Sequence, residues 1–228
     1  MLDRFTTRLI RPAVQGLARP LLRWGISANS ITWAGFALGV LAATCVVAQA
    51  WMAGLVLLLF SRLCDALDGA VARASHSDSA VGGFLDIALD FVFYALMVLA
   101  FALADPAANA LAAAVLITAF VGTGSSFLAF AALAAQRGLH NPLVPEKSFY
   151  FVGGLTEATE TLAVLCAMCI WPAYFVPLAY GFAGLCAITW LGRIAAGVRL
   201  LADTPTHQQQ APGLQDLPHA KRGQDSNV

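Results

Sequence analysis

Four aspartates interrupt an otherwise apolar part of this 228-residue sequence: Asp65, Asp68, Asp86 and Asp90. An ionised carboxylate surrounded by hydrocarbon is energetically costly, so something must offset four of them. Clustered carboxylate oxygens are the ligands that hard divalent cations such as Mg²⁺ or Mn²⁺ prefer. Four carboxylates indicate a pair of such ions, an arrangement that stabilises a phosphoryl group during transfer.

The spacing of the aspartates places them on two helical faces. At about 100° per residue, the first face holds Asp65, Asp68, Gly69, Ala72 and Arg73. The second face, spaced i, i+4, i+8, holds Gly82, Asp86 and Asp90. The short segment SHSDS between them predicts two adjacent antiparallel helices, so that the four carboxylates face one another. The small residues on both faces leave room for a ligand to approach the backbone.

The nearest cations in the sequence are Arg73 and Arg62, the latter one turn before Asp65. Two arginines do not balance four aspartates, which favours metal ions as the offset. Taken singly, an intramembrane aspartate can simply pair with an arginine, and small residues can serve helix packing alone. The full set with its spacing favours the metal site. Asp78 falls in the connecting turn and is interpreted as a solvated loop residue.

The composition is that of an integral membrane protein. Only 11% of the residues are charged and 59% are hydrophobic, and the mean hydropathy is +0.74. Soluble domains contain about 25% charged residues, and no nucleic-acid partner is expected for this chain. Because a span needs roughly 20 apolar residues, we predict an all-α fold with six transmembrane helices, at residues 27–49, 52–74, 80–104, 107–136, 153–171 and 174–201.

The basic residues predict the orientation of these spans. With a cytoplasmic N-terminus, every basic residue except Arg62, which lies within the second span, falls at or near the cytoplasmic side, and the three outer turns contain no Lys or Arg. These basic residues are Arg4, Arg8, Arg11, Arg19, Arg23, Arg73, Arg137, Lys147, Arg193, Arg199, Lys221 and Arg222. Both termini and the aspartates are therefore expected to face the cytoplasm.

Three regions follow from the pattern. Residues 1–26 are predicted to form an amphipathic juxtamembrane helix, whose basic stripe suits anionic headgroups. A plain basic tail that only sets the topology is the alternative. Residues 27–202 form the six-helix membrane domain, and residues 203–228, polar and without periodicity, are predicted to be a disordered cytoplasmic tail.

The aspartate segment resembles the signature of a known family. It reads D-x2-D-G-x2-A-R-x8-G-x3-D-x3-D with every fixed position filled, and it is similar to the signature of the class I CDP-alcohol phosphatidyltransferase family. The spans and the basic N-terminal helix extend the resemblance to about residues 1–202. The segment KSFYFVGGLTEATET is similar to an uncharacterised bacterial branch of that family, which implies a bacterial inner membrane as the setting.

The resemblance implies an integral membrane enzyme of phospholipid biosynthesis, usually a homodimer. Such an enzyme moves a substituted phosphate from a CDP-linked donor, such as CDP-diacylglycerol, to a polar alcohol and releases CMP. It implies that Asp65, Asp68 and Asp86 hold two divalent ions, Mg²⁺ or Mn²⁺. Asp90 would contact the second ion and act as general base toward the acceptor hydroxyl.

The resemblance also implies a donor site. Its residues would be Gly69, Ala72, Arg73 and Gly82, joined by Asn29 and Thr32 from the first span. The last two belong to SANSIT, which resembles the family's Pro-Asn-x-x-Thr motif with Ala28 in place of the proline. Ser27 or Asn29 could equally be an ordinary helix N-cap.

The acceptor is left open by the sequence. Glu157 and Glu160 lie one turn apart where the fifth span begins, and with Lys147 and Arg193 they are candidates for an acceptor pocket. A polar, capped helix start is the alternative for the two glutamates. A phosphorylated polyol such as glycerol phosphate or inositol phosphate is the alternative acceptor, for which basic residues would serve.

A different class of function is a divalent-cation transporter, because intramembrane carboxylates also mark ion pathways. A pathway would need polar groups that continue to the outer face, and the outer halves of the spans are composed of Ala, Leu, Val and Phe. A non-catalytic relative of the family would be expected to have lost an aspartate, and none is missing. The enzyme is therefore the favoured hypothesis.

Overall fold

A computed structural model describes residues 3–75, 79–136 and 156–203, and its secondary structure is helical throughout these ranges. The helices are α1 (Asp3–Arg23), α2 (Ala28–Val47), α3 (Trp51–Ala74), α4 (Ala80–Ala104), α5 (Pro106–Gln136), α6 (Ala158–Ile170) and α7 (Phe175–Asp203). A 3₁₀ turn, Pro172–Tyr174, joins the last two. The proposed tail and Lys147 lie outside the described residues.

The helix ends are set by local capping. Gly25 has a φ of 70° and ends α1, where its amide donates to the carbonyl of Leu22 and the amide of Ile26 donates to that of Leu21. This pair of bonds is the Schellman motif, in which glycine avoids the steric cost of a left-handed backbone. Ser27 and Ser79 then begin α2 and α4, because each hydroxyl accepts a hydrogen bond from the backbone three residues on.

Helix α2 is the element on which the site is built. Both α3 and α4 pack extensively against α2, and neither packs extensively against the other in the part of the chain described. The sequence prediction of an adjacent α3–α4 pair is therefore corrected. Each of the two helices packs on α2, and their aspartates approach each other without extensive packing between α3 and α4.

Two glycines one turn apart allow this close packing. A Cβ built on Gly35 would lie 2.9 Å from the Cβ of Cys64, and one built on Gly39 would lie 2.5 Å from Cδ2 of Phe93. The hydroxyl of Ser61 also donates to the carbonyl of Gly35 at 2.7 Å. One face of α2 therefore holds α3 at one glycine and α4 at the next, because small residues let helices approach closely.

Two apolar clusters hold the helices together. The larger contains stacked rings, with Phe101 between Trp51 and Phe175 at centroid distances of 5.7 and 4.8 Å. The smaller joins α1 to α3, where Val14 and Ala18 are buried with residues of α2 and α3: Ile31, Leu67, Ala70 and Val71. Helix α1 thus packs on α3, and it continues through Pro12 and Pro20.

The outside of the bundle is apolar. Large side chains such as Phe60, Phe84 and Leu111 are more than half exposed, as expected where lipid rather than water covers the surface. Four segments are long and apolar enough to cross a membrane: Ala28–Val47, Ala80–Ala104, Pro106–Leu133 and Pro172–Arg199. Together with the helical secondary structure of the described residues, this confirms a helical integral membrane protein.

The two other predicted spans differ from these four for identifiable reasons. Helix α3 has the expected length but carries two arginines and two aspartates: Arg62, Asp65, Asp68 and Arg73. Helix α6 has 13 residues and begins at Ala158, later than the predicted start at residue 153, because Glu157 caps it. At 1.5 Å per residue, 13 residues extend for about 20 Å, which is less than the hydrocarbon thickness of about 30 Å.

Candidate active site

Three of the four aspartates form a compact cluster. Asp65, Asp68 and Asp86 each present a carboxylate oxygen, and these oxygens lie within 4.8 Å of one another. Two oxygens on opposite sides of a Mg²⁺ ion lie about 4.2 Å apart, which is twice the metal–oxygen distance. Small side-chain rotations would therefore let the three carboxylates share an ion. Among the described residues this is the one such cluster of acidic, His or Cys side chains.

Asp68 is the most firmly held member of the cluster. It is 5% exposed, and the hydroxyl of Thr32 on α2 donates to its Oδ2 at 2.6 Å. The same hydroxyl lies 3.1 Å from the carbonyl of Ala28. A hydroxyl has one hydrogen to donate, and the shorter, charge-assisted bond to the carboxylate is the stronger of the two. Thr32 thus fixes the direction of the Asp68 carboxylate.

The fourth aspartate has a different partner. The Oδ1 of Asp90 lies 2.5 Å from Nη1 of Arg62, and the same nitrogen is 3.6 Å from Oδ1 of Asp65. The Arg62 guanidinium also lies over the ring of Phe93, with its central carbon 4.1 Å from the ring centroid. Asp90 is therefore adjacent to the three-carboxylate cluster through Arg62, and it lies outside the group of mutually close oxygens.

A cleft of about 190 Å³ opens beside the cluster. The cluster residues Asp68 and Asp86 line this cleft. Five of the predicted donor residues line it as well: Asn29, Thr32, Gly69, Ala72 and Gly82. The side chain of Asn29 fills the space beside Gly82, where an added Cβ would lie 3.4 Å from its Oδ1. The structure therefore brings these predicted donor residues of α2, α3 and α4 together around one cleft.

Arg73, the sixth predicted donor residue, lies back over its own helix. Its Nη1 would be 3.1 Å from a Cβ added to Gly69, so the guanidinium occupies the space that this glycine leaves. The ion pairs recorded for the aspartates in the described part of the chain are made by Arg62. Of the two nearby arginines in the sequence, Arg62 rather than Arg73 thus contacts the carboxylates.

The predicted acceptor residues have local partners in α5, α6 and α7. Glu157 and Glu160 form a capping box, in which each side chain accepts a hydrogen bond from the other residue's backbone amide. Buried Arg193 donates to the carbonyl of Thr123 at 2.8 Å, and Thr156 bonds Thr189 at 3.1 Å. The capped helix start considered for the glutamates is therefore present.

Two functional contacts were missed by sequence reasoning. The motif predicts Thr32 as a donor residue and gives no sign that its hydroxyl bonds Asp68. For Arg62, the sequence indicates only a cation near Asp65, because the two residues are three positions apart on one helix. Its closer partner, Asp90, lies 28 residues away on another helix, so the pairing depends on the packing of α3 and α4 on α2.

Comparison with known proteins adds to this geometry. Residues 25–197 match the family model described as CDP-alcohol phosphatidyltransferase. The inner membrane protein YnjF of Escherichia coli (strain K12) is 48% identical over 197 residues, which cover 86% of this chain and 95% of that protein. Archaetidylinositol phosphate synthase of Methanothermobacter thermautotrophicus is 36% identical over 91 residues, covering 40% of this chain and 44% of the synthase.

Two crystal structures of Mycobacterium tuberculosis phosphatidylinositol phosphate synthase are similar to this fold. One has CDP-DAG bound; it is 21% identical, with a TM-score of 0.54 over 83% of this chain and 92% of the synthase. The other is a complex with manganese and citrate; it is 20% identical, with a TM-score of 0.61 over 81% of this chain and 88% of the synthase. At these identities the likeness establishes a shared fold.

Proposed function

The chain belongs to the CDP-alcohol phosphatidyltransferase family, and from this premise we propose that it transfers a phosphatidyl group from CDP-diacylglycerol to a polar alcohol and releases CMP. The observation that carries the proposal is the cluster of three carboxylates beside a cleft. A cleft of about 190 Å³ is smaller than the ~300–1,000 Å³ pockets that enclose drug-sized ligands. It would hold the nucleotide end of the donor, with the acyl chains along the apolar outer surface.

The donor assignment is supported from two sides. The similar synthase of Mycobacterium tuberculosis has CDP-DAG bound. In this chain, Asn29, Gly69, Ala72 and Gly82 line the cleft next to the cluster, and the small side chain of Ala72 leaves its wall open to a phosphate chain. Arg73 would contribute a positive charge at the Gly69 side.

Divalent cations, when bound, would offset the carboxylate charges and polarise the donor pyrophosphate. Asp65, Asp68 and Asp86 would hold a pair of Mg²⁺ or Mn²⁺ ions, and Asp90 would contact the second ion. Manganese in the similar synthase supports a divalent ion in this fold. Thr32, by bonding Oδ2 of Asp68 at 2.6 Å, would keep that ligand in position.

Asp90 would also be the general base. Its carboxylate would accept the proton of the acceptor hydroxyl as the hydroxyl oxygen bonds to the phosphorus of the phosphatidyl group. The bond between that phosphorus and the CMP oxygen breaks, and CMP leaves. A positioned carboxylate base contributes roughly 10²–10⁴-fold to such a step.

The alternative acceptor is a phosphorylated polyol. The similar archaetidylinositol phosphate synthases and the phosphatidylinositol phosphate synthase of similar fold favour it. The acceptor pocket would be formed by Lys147, Glu157, Glu160 and Arg193. The two glutamates would have a second role in capping α6. A panel that contains both free alcohols and polyol phosphates separates the two acceptors.

The membrane arrangement is part of the proposal. We infer six spans, formed by α2 to α7, with α1 on the cytoplasmic interface and the active site and both termini in the cytoplasm. The domain limits are then 1–26, 27–202 and 203–228, and the protein acts as a homodimer. The basic residues beside the predicted inner loops support the orientation.

The test is CMP release by the purified protein with CDP-diacylglycerol, Mg²⁺ or Mn²⁺, and the acceptor panel. Asp90→Asn is expected to lower the rate at least about 100-fold. Asp105→Asn is the matched control, because Asp105 caps α5 through the amide of Ala108 and asparagine caps equally well. Equal CMP release by wild type and Asp90→Asn would refute the proposal, and manganese uptake into proteoliposomes would instead support the transporter.

A further inference from the structure

Arg62 is an unusual residue for its position. Its side chain is 11% exposed in the middle of α3, and its Nε is buried without a hydrogen-bond partner among the described residues. Burying an unsatisfied donor on a charged group is costly. The contacts that offset this cost are two carboxylates and the rings of Phe93 and Tyr94.

The guanidinium contacts the two aspartates unequally. A single nitrogen, Nη1, lies 2.5 Å from Oδ1 of Asp90 and 3.6 Å from Oδ1 of Asp65. The bond to Asp90 has the length of a strong, charge-assisted hydrogen bond, and the contact with Asp65 is longer than such a bond. The ring of Phe93 packs against the guanidinium, with its centroid 4.1 Å from the central carbon, and adds a second contact that holds Arg62 in place.

We propose that Arg62 is a positioning residue that engages one oxygen of Asp90 and thereby keeps this carboxylate from becoming a full ligand of the divalent ions. This inference rests on the proposed function, in which Asp90 serves as the base. With Oδ1 bound to Arg62, Oδ2 is the oxygen that remains for the acceptor hydroxyl and the second ion. Asp65, Asp68 and Asp86 have no such restraint from Arg62 at hydrogen-bond distance.

The proposal predicts an opposite effect on ion affinity and on turnover. Without Arg62, Asp90 is free to give both oxygens to a cation, and a repelling positive charge is removed from the cluster. Manganese binding should therefore become tighter. Turnover should fall, because the base is no longer directed at the acceptor. A purely structural arginine would weaken both.

The experiment is a double-mutant cycle for Mn²⁺ binding, measured from the free-ion electron paramagnetic resonance signal of the full chain in detergent. The proteins are wild type, Arg62→Gln, Asp90→Asn and the double variant. Arg62→Gln is expected to bind Mn²⁺ at least threefold more tightly. In the Asp90→Asn background, the fold-change in Mn²⁺ affinity caused by Arg62→Gln should be at least three times smaller than in the wild-type background, because the Arg62–Asp90 pair is then already broken.

Controls address charge and folding. Arg11→Gln removes an exposed arginine of α1 and is expected to keep the wild-type affinity. Arg62→Met is a second charge-removing variant, since its apolar side chain suits the rings of Phe93 and Tyr94. Arg62→Lys keeps the charge and should retain wild-type ion affinity within twofold.

The kinetic arm separates this inference from the proposed function. Arg62→Gln and Arg62→Met should lower kcat for CMP release at least tenfold with the donor KM within threefold, and Arg62→Lys should restore part of kcat. Unchanged or weaker Mn²⁺ binding by the charge-removing variants would overturn the inference, as would an equal effect in both backgrounds. If wild type released no CMP, the proposed function would fail while the binding cycle still decided the role of Arg62.

Discussion

Removing the Thr32 hydroxyl should weaken the ion site without altering any of its carboxylates. Thr32→Val keeps the shape and volume of the side chain and deletes the donor that lies 2.6 Å from Oδ2 of Asp68. Asp68 is 5% exposed, so water cannot readily replace the lost hydrogen bond. The Asp68 carboxylate would then turn more freely, and part of the binding energy of an ion would be spent on fixing it.

The magnitude follows from the type of bond. A hydrogen bond to a charged group contributes about 1.5–3 kcal/mol, and loss of a partner that orients a metal ligand typically weakens metal binding by about 10–100-fold. These two ranges agree, because about 1.4 kcal/mol corresponds to a factor of ten in affinity. We therefore expect Thr32→Val to bind Mn²⁺ about tenfold or more weakly, and Thr32→Ser to remain close to wild type.

The assay is Mn²⁺ titration of the purified proteins, with Thr44→Val as the matched control. Thr44 lies on the same helix, and its hydroxyl donates to the carbonyl of Val40, away from the cluster. Both variants therefore replace a threonine of α2 by valine, and only Thr32→Val removes a bond to Asp68. Equal affinities for Thr32→Val and Thr44→Val would refute the reasoning. A raised donor KM with unchanged Mn²⁺ affinity would show that Thr32 serves the donor alone, as its place in the cleft lining also allows.

Two further predictions concern the scaffold. Gly39→Ala should lower the free energy of unfolding by about 1–3 kcal/mol, because the added Cβ would lie 2.5 Å from Cδ2 of Phe93. A thermal melt compares it with Gly16→Ala, whose added Cβ would have no atom within 4 Å. Equal melting temperatures would contradict the packing argument. Glu160→Ala should destabilise α6 by about 0.5–2 kcal/mol through loss of the capping box with Glu157, whereas Glu160→Gln should keep it. A melting temperature of Glu160→Ala equal to that of Glu160→Gln would show that the cap contributes little.

The fold and the centre of the site could be predicted from the sequence because both depend on local spacing. The predicted span at residues 80–104 has the observed limits of α4, since Ser79 and Asp105 flank it with polar caps. The spacing of Asp65, Asp68 and Asp86 indicated a shared site, and their oxygens do lie close together.

What could not be predicted depends on how the helices cross. A loop as short as SHSDS indicates antiparallel neighbours, yet α3 and α4 pack on α2, because Gly35 and Gly39 open that helix to both. The same tertiary arrangement decides that Arg62 meets Asp90 and that Thr32 meets Asp68, over separations of 28 and 36 residues. Helical periodicity holds no information about such partners.

The glycine face of α2 has a consequence for ion selectivity. Helix α2 contains no acidic residue, yet α3 packs against it at Gly35 and α4 at Gly39, and these two contacts position the helices that carry the carboxylates. Mg²⁺ and Ca²⁺ differ by a few tenths of an ångström in their distance to oxygen, a difference comparable to the shift that one added methyl group would impose on a packed helix. In the proposed function, the size of the ion site would therefore depend on residues that bind no ion, and we expect Gly35→Ala to change the preference between Mg²⁺ and Ca²⁺ while all four aspartates are kept.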